Sequence, residues 1–146
     1  MPTVQDVLAQ KGRVVHSVSR ASTVEEAILL MVERDIGSVL VTEDGAMVGI
    51  FTERDVLRRV ALAARDPRAT GVAEVMTPDP VHVAPERTIG ECMALMTDRR
   101  IRHLPVVEGG RPAGMISIGD IVKYLSGARA AELSRLTAYI HGQYPG

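Results

Sequence analysis

Apolar residues recur along the chain at two spacings, and the order in which these spacings alternate predicts the secondary structure. After Thr23 and again after Thr88, apolar side chains stand three or four positions apart, which indicates an amphipathic helix of about three turns. Each helix begins with a hydroxyl that is followed three residues later by a glutamate, Glu26 or Glu91, which is the pattern of a capping box. The sequence therefore predicts two helices with well-defined starts.

Short apolar or alternating stretches flank these helices and predict strands. The predicted strands are Val15–Val18, Ser38–Thr42, Met47–Phe51, Val81–Val83, His103–Val107 and Ala113–Ser117. Acidic-glycine turns at residues 44–45 and 108–110 join the last two strands of each half into a hairpin. A further helix is predicted after each hairpin, at Arg54–Ala64 and at Asp120–Leu125, so each half reads strand, helix, strand, strand, helix.

The two halves are copies of one another. Residues 23–60 align without a gap onto residues 88–125, and eleven positions are identical. The identical pairs are Thr23/Thr88, Glu26/Glu91, Leu30/Leu95, Met31/Met96, Arg34/Arg99, Ile36/Ile101, Val41/Val106, Glu43/Glu108, Gly45/Gly110, Gly49/Gly114 and Asp55/Asp120. Roughly two or three matches are expected by chance, so the chain contains an internal duplication. Upstream, Val4–Leu8 resembles Val72–Met76 at a larger offset, which leaves about three extra residues near Lys11–Arg13 in the first copy.

The duplication divides the chain into a first repeat at residues 1–68, a second repeat at residues 69–127 and a tail at residues 128–146. A repeat of about 60 residues is marginally stable alone, so the two are expected to pack into one α/β module, each a small sheet with helices against it. Ala64–Thr70 reads as the linker. The tail predicts one more helix, Ala128–Tyr139, whose apolar stripe needs a partner surface.

Composition and charge argue against several classes of protein. The net charge of −1 and pI of about 6.4 leave no general basic field for nucleic acid. The apolar runs are far shorter than the roughly 20 residues of a membrane helix. No secretory pattern opens the chain, so a cytoplasmic location is expected.

The residue types that carry catalysis or bind metals are sparse. Cys92 is the only cysteine and is expected to be a small core residue, with a reactive thiol as the alternative. The four histidines show no metal-binding spacing, so no metal is expected. No phosphate-binding loop or nucleophile elbow is present, so the chain is not expected to be an enzyme.

The candidate chemistry lies where each hairpin meets its final helix. A hydroxyl, Thr52 or Ser117, stands at the predicted helix start, and an aspartate, Asp55 or Asp120, follows three residues later. Free backbone N–H groups and the positive end of the helix dipole at such a start suit a phosphate. The same spacing is also that of an ordinary helix cap, as after Thr23, so the pattern alone leaves both interpretations open.

Several features together resemble the cystathionine-β-synthase (CBS) domain pair, or Bateman module, in its stand-alone bacterial form. They are the tandem repeat, the segments Val-Met-Thr-Pro-Asp-Pro at 75–80 and Ile-Arg-His-Leu-Pro-Val at 101–106, and the two Gly-x-x-[Ser/Thr]-x-x-Asp motifs. The resemblance implies two repeats related by a pseudo-two-fold axis, commonly as a homodimer. It also implies an adenosyl ligand, AMP, ADP, ATP, NAD or S-adenosylmethionine, in clefts between repeats, and regulation of an unidentified protein partner.

The resemblance further implies roles for individual residues. Asp55 and Asp120 would bind ribose, Thr52, Arg54, Ser117, Arg102 and His103 would bind phosphate, and the strand segments at Ser38, Val39, Leu40, Leu104 and Pro105 would contact adenine, largely through backbone. His103 is alternatively a core histidine. Because basic residues stand at different places in the two copies, two sites of unequal affinity are expected. The alternative is a structural dimerisation module with vestigial clefts, in which the tail helix is the functional surface.

Overall fold

The computed structural model describes residues 1–127, and within them each repeat forms the predicted mixture of helices and short strands. The first repeat contains α1 (Val4–Lys11), β1 (Ser17–Ser19), α2 (Val24–Arg34), β2 (Ser38–Glu43), β3 (Ala46–Thr52) and α3 (Glu53–Asp55), which continues as a π-helical segment at Val56–Ala61. The second contains α4 (Val72–Val75), β4 (Thr77–Pro78), α5 (Ile89–Arg99), β5 (His103–Glu108), β6 (Arg111–Ser117) and α6, helical over residues 118–127. The predicted tail helix lies outside the described residues.

The two capping boxes predicted for the long helices are present. The Thr23 hydroxyl accepts from the Glu26 backbone N–H at 3.2 Å, and the Glu26 carboxylate accepts from the Thr23 N–H at 3.1 Å. Thr88 and Glu91 make the same pair of bonds at 3.1 and 3.2 Å. Each box satisfies backbone donors that a helix start leaves free, so α2 and α5 begin directly after these threonines.

The predicted hairpins are also confirmed. β2 pairs antiparallel with β3, and β5 with β6, in the same register in both repeats. Their turns require positive φ at two successive residues, which are Asp44 (52°) with Gly45 (80°), and Gly109 (59°) with Gly110 (80°). Acidic or glycine residues tolerate this conformation, which matches the twist of the flanking strands.

Two local predictions differ from the structure. The expected strand Val81–Val83 is reduced to a single parallel bridge from Val83 to Val106, since Pro80 and Pro85 on either side supply no N–H for a longer ladder. The helix predicted at Arg54–Ala64 has one α-helical turn and then π-helical hydrogen bonding. The spacing of four between Val56 and Val60 fits either helix, so the apolar pattern could not separate the two.

The repeats exchange their opening helices. Val4, Val7 and Leu8 of α1 are at most 2% exposed and belong to the core of the second repeat, whereas Val72 and Val75 of α4 belong to the core of the first. β4 likewise joins the sheet of the first repeat, in the order β1-β2-β3-β4, while β5 and β6 form a two-stranded sheet. Each core is therefore completed by a segment of the other repeat, which makes the pair one structural module.

A glycine allows each exchanged helix to approach its strand. A Cβ on Gly114 would lie 2.9 Å from both Leu8 methyl groups, and one on Gly49 would lie 2.3 Å from the Met76 sulfur. Real Cβ atoms do not approach so closely, so a side chain at either strand position would force the leucine or the methionine to shift. The glycine that begins each Gly-x-x-[Ser/Thr]-x-x-Asp motif thus has a packing role.

Candidate functional site

A cavity of about 420 Å³ lies between the repeats at the second copy of the motif. Its lining includes four of the residues singled out in the sequence: Ser38, His103, Ser117 and Asp120. The first repeat contributes the chain from Val14 to His16 and the turn after α2, at residues 35–38. A volume of this size is in the range of small-molecule sites, and here the two repeats share the lining.

Asp120 is held at the cavity by both repeats. Its Oδ2 accepts from the Ser117 backbone N–H at 2.8 Å and from Lys11 Nζ at 2.6 Å, and its own N–H donates to the Ser117 hydroxyl at 3.0 Å. Burial raises the pKa of Asp120, but the hydrogen bonds from Lys11 and Ser117 outweigh it, so the net pKa lies below the usual value. The carboxylate is therefore ionised at neutral pH. Within residues 1–127 its Oδ1 accepts no hydrogen bond.

His103 begins β5 and faces the first repeat across the cavity. Its ring lies beside Gly37, since ring atoms of His103 would be 3.4 Å from a Cβ at that position, which is ordinary van der Waals contact. Burial lowers the pKa of His103, and the charge of Lys11 lowers it further, while Glu53 and Asp120 partly oppose this. His103 is therefore neutral at pH 7, and its ring offers one donor and one acceptor.

Asp55 occupies a different environment from Asp120. It is 7% exposed and forms a capping box with Thr52, with bonds of 3.0 and 3.3 Å. Its Oδ1 lies 3.5 Å from Nε of Arg59, and Nη1 of the same guanidinium donates to the Met76 carbonyl at 3.0 Å. Neither Thr52 nor Asp55 lines the cavity at Asp120. The role of this pair in ligand binding stays a prediction.

The predicted basic residues Arg54 and Arg102 lie at the surface. The Arg54 guanidinium donates to the Arg100 carbonyl at the end of α5, at 2.9 Å, where a cation complements the helix dipole. Arg102 is exposed and does not line the cavity, although its charge acts on His103. Phosphate contacts from these two side chains remain predictions.

The strand residues assigned to adenine lie mainly in the cores. Val39, Leu40 and Leu104 are 0% exposed, and Pro105 is buried. Val39 and Leu104 belong to the two cores, and all four side chains are buried, so any contact with a ligand would come from backbone, as the resemblance implies. Ser38 is the member of this group that lines the cavity.

Sequence reasoning missed Lys11 and assigned His16 no role, although both line the cavity. Lys11 ends α1, and its ammonium reaches Asp120 because α1 packs on the second repeat. The extra residues near Lys11–Arg13 in the first copy marked this place as different, but no local pattern connected it to a residue 109 positions away.

Further features of the described residues concern a membrane helix, a metal site and a reactive cysteine. In residues 1–127 no helix is long and apolar enough to cross a membrane. In the same part of the chain, no group of three or more His, Cys, Asp or Glu side chains is placed to hold a metal ion. Cys92 is fully buried in the second core, and burial raises the pKa of its thiol.

The fold and the cavity define a class of protein, a tandem α/β module with a small-molecule cavity shared by its two repeats. Comparison with known families agrees, since the CBS domain model matches residues 4–62 and 72–127. The chain belongs to the CBS domain family. CBS domain pairs are generally regulatory, non-catalytic modules and are often nucleotide-binding.

Relatives and solved structures support the family assignment. The chain is 37% identical to the mitochondrial CBS domain-containing protein CBSX3 of Arabidopsis thaliana, over 97% of this chain and 73% of that protein. It is 32% identical to the CBS domain-containing protein YhcV of Bacillus subtilis, over 83% and 84% of the two chains. A CBS-domain-containing protein from Agrobacterium tumefaciens superposes with a TM-score of 0.79 at 41% identity, over 84% of this chain and 98% of that one.

Proposed function

We propose that this chain is a regulatory module that binds an adenosyl ligand, such as AMP, ADP, ATP, NAD or S-adenosylmethionine, in the cavity at Asp120. The observation that carries the proposal is the ionised Asp120 carboxylate at this cavity, with Oδ1 accepting no hydrogen bond in residues 1–127. A carboxylate oxygen of this kind accepts hydrogen bonds from the hydroxyl groups of a ribose. The Ser117 hydroxyl beside it has a proton to donate to a phosphate.

Ligand binding would act on the arrangement of the two repeats. The cavity is lined by the segment before β1, by the turn after α2 and by the motif of the second repeat, so a ligand contacts both repeats at once. A ligand shifts a conformational equilibrium only when its affinity for the two states differs. A shared cavity supplies that difference, because separation of the repeats would divide the ligand's contacts.

Thermal unfolding tests the proposal. A ligand at 100 times its Kd should stabilise the folded chain by about 2.7 kcal/mol, which corresponds to a rise in Tm of roughly 5–10 °C. Asp120→Ala should abolish the rise. The chain contains no Trp, so calorimetry or a dye is the suitable readout.

The control must separate the loss of a helix cap from the loss of a ligand contact. Glu26→Ala also removes a capping-box carboxylate, and Glu26 does not line the cavity. Its loss should lower Tm through a cap worth about 0.5–2 kcal/mol while leaving the ligand-induced rise intact. If millimolar AMP, ATP, NAD and S-adenosylmethionine all fail to shift the wild-type transition, the proposal is wrong.

We also propose that the chain forms a homodimer, the function that would remain if the clefts were vestigial. Val32 and Leu57 border an apolar groove between α2 and the helix after β3, and they are 72% and 64% exposed. Met93 and Val122 of the second repeat are 44% and 53% exposed. Burial of such surface stabilises association.

Light scattering tests the homodimer. Leu57→Glu is expected to give monomers if this face is the interface. Removal of residues 128–146 would instead give monomers if the tail is required. A wild-type chain that is monomeric at micromolar concentration would contradict the dimer. The cytoplasmic location stays a prediction.

A further inference from the structure

Lys11 joins the two repeats at the cavity through its side chain. It is the last residue of α1, whose Val4, Val7 and Leu8 are packed in the second core. From there Nζ donates to the Met115 carbonyl at 2.7 Å and to Asp120 Oδ2 at 2.6 Å. The packing of α1 thus fixes the position of the ammonium group.

The ammonium is the permanent positive charge among the residues that line the cavity. The lining also contains the carboxylates of Asp35 and Asp120 and the imidazoles of His16 and His103, and His103 is neutral at pH 7 because burial lowers its pKa. Arg102 is absent from the lining. Attraction of the cavity for an anionic ligand therefore depends on Lys11.

Two hydrogen-bond donors remain available beside Asp120. An ammonium has three N–H donors, and in residues 1–127 Lys11 uses two of them. The Ser117 oxygen accepts from the Asp120 N–H, which leaves its hydroxyl proton free to donate. Both residues are hydrogen-bonded to Asp120 and line the cavity, an arrangement that suits one phosphate.

The first motif lacks this arrangement. At the offset that aligns α1 with α4, the counterpart of Lys11 is Asp79. In the first repeat, Ile50 of β3 pairs with strand β4. Its equivalent in the second repeat is Met115 of β6, whose carbonyl accepts from Lys11 instead. Asp55 is paired with Arg59 of its own helix. Of the two motifs, the one at Asp120 is therefore the one with a lysine ammonium beside its aspartate.

We propose that Lys11 determines which adenosyl ligands the Asp120 site prefers, by favouring a ligand with one phosphate over the uncharged nucleoside. The proposal rests on the proposed function of the cavity. Among the described residues that line the cavity, Lys11 is the one permanent cation, so no second one is available for a second or third phosphate. The site should therefore bind AMP more tightly than adenosine. The affinity for ATP should not exceed that for AMP by a comparable factor.

Calorimetric titration with adenosine, AMP and ATP tests this. In the wild type AMP should bind about 10- to 100-fold more tightly than adenosine, the range of a charge-assisted hydrogen bond. Lys11→Met should bring the AMP/adenosine ratio close to one, with adenosine changed by only a few-fold, and Lys11→Arg should restore most of the preference. Lys123, the only other lysine, provides the matched control, since Lys123→Met should leave the ratio unchanged.

The outcomes separate this inference from the proposed function. If the wild type binds none of the three compounds, the inference is wrong, and the proposed function fails as well only when NAD and S-adenosylmethionine also do not bind. If the wild type binds them but Lys11→Met leaves the ratio unchanged, or weakens adenosine and AMP equally, Lys11 only positions Asp120 and the inference alone is wrong. A gain of tenfold or more from AMP to ATP would also overturn it.

A labelling experiment on the wild-type chain does not depend on any variant folding. AMP should protect Lys11 from an amine-reactive reagent while Lys123 continues to react, as measured by mass spectrometry. Equal reactivity of Lys11 with and without saturating AMP would contradict the proposed contact.

Discussion

The close packing of α1 on β6 predicts a coupling between Leu8 and Gly114 that depends on side-chain size. A Cβ on Gly114 would lie 2.9 Å from both Leu8 methyl groups, and Leu8 is 1% exposed, so its side chain has little room to move. Gly114→Ala should therefore cost about 1–3 kcal/mol through overpacking. That cost is reduced by roughly 0.5–1 kcal/mol because alanine is favoured over glycine within a strand.

Leu8→Ala alone should cost about 2–5 kcal/mol, because it removes buried methyl groups and leaves a cavity. In the double variant the methyl group at 114 meets no leucine and fills part of that cavity. The double variant should therefore lose less stability than the sum of the single losses, by about 1 kcal/mol or more.

Urea unfolding of the four proteins in this cycle measures the coupling. Gly90→Ala is the matched control, since nothing lies within 4 Å of a Cβ at that position. It should be neutral or stabilising and additive with Leu8→Ala. Additivity of Gly114→Ala with Leu8→Ala, within about 0.5 kcal/mol, would refute the packing argument and with it the fixed position of Lys11.

Three further predictions concern individual side chains. The folded state lowers the pKa of His103, so as the pH falls below about 6.5 this imidazole is protonated first in the unfolded chain. The free energy of unfolding should therefore decline from there until the lower folded-state pKa is reached. His103→Gln should remove this part of the decline in urea unfolding curves. Arg59→Gln should cost about 1 kcal/mol in the same assay, since it breaks contacts with Asp55 and the Met76 carbonyl at a half-exposed position. Cys92 should react with a thiol reagent only when the chain unfolds, because it is fully buried and burial raises its thiol pKa.

Each of these has a clear contrary result. An unchanged slope of stability between pH 6.5 and 5 in His103→Gln would show that the pKa of this imidazole is not lowered in the folded chain. Wild-type stability in Arg59→Gln would mean that the pairing with Asp55 contributes nothing. Rapid modification of Cys92 in the native chain would favour the reactive-thiol alternative.

Much of the local structure was predictable because its causes are local. A threonine and a glutamate three residues apart satisfy each other's backbone donors within one turn, so this pattern marks a helix start at Thr23 and at Thr88 without help from distant residues. Asp44-Gly45 adopts the positive φ values that a tight hairpin needs. The internal duplication predicted two similar units, and together with the segments at 75–80 and 101–106 and the two Gly-x-x-[Ser/Thr]-x-x-Asp motifs it indicated the family.

The candidate site was predicted in part. Ser38, His103, Ser117 and Asp120 do line one cavity, whereas the equivalent motif at Thr52 and Asp55 lies outside it. The motifs alone could not distinguish the two places, because both contain the same capping-box chemistry. The difference arises from what packs against each carboxylate, Lys11 in one case and Arg59 in the other.

The sequence by itself determined the repeat, the two long capped helices, the hairpins with their turns, and the pair of hydroxyl-and-aspartate motifs. Only the tertiary structure decided that the repeats exchange their opening helices and that Lys11 therefore meets Asp120. The reason is the range of the interactions, since a capping box closes over three residues but the Lys11–Asp120 contact spans 109 positions. Such a contact depends on how the α1 helix packs in the other repeat's core, which no local pattern around Lys11 specifies.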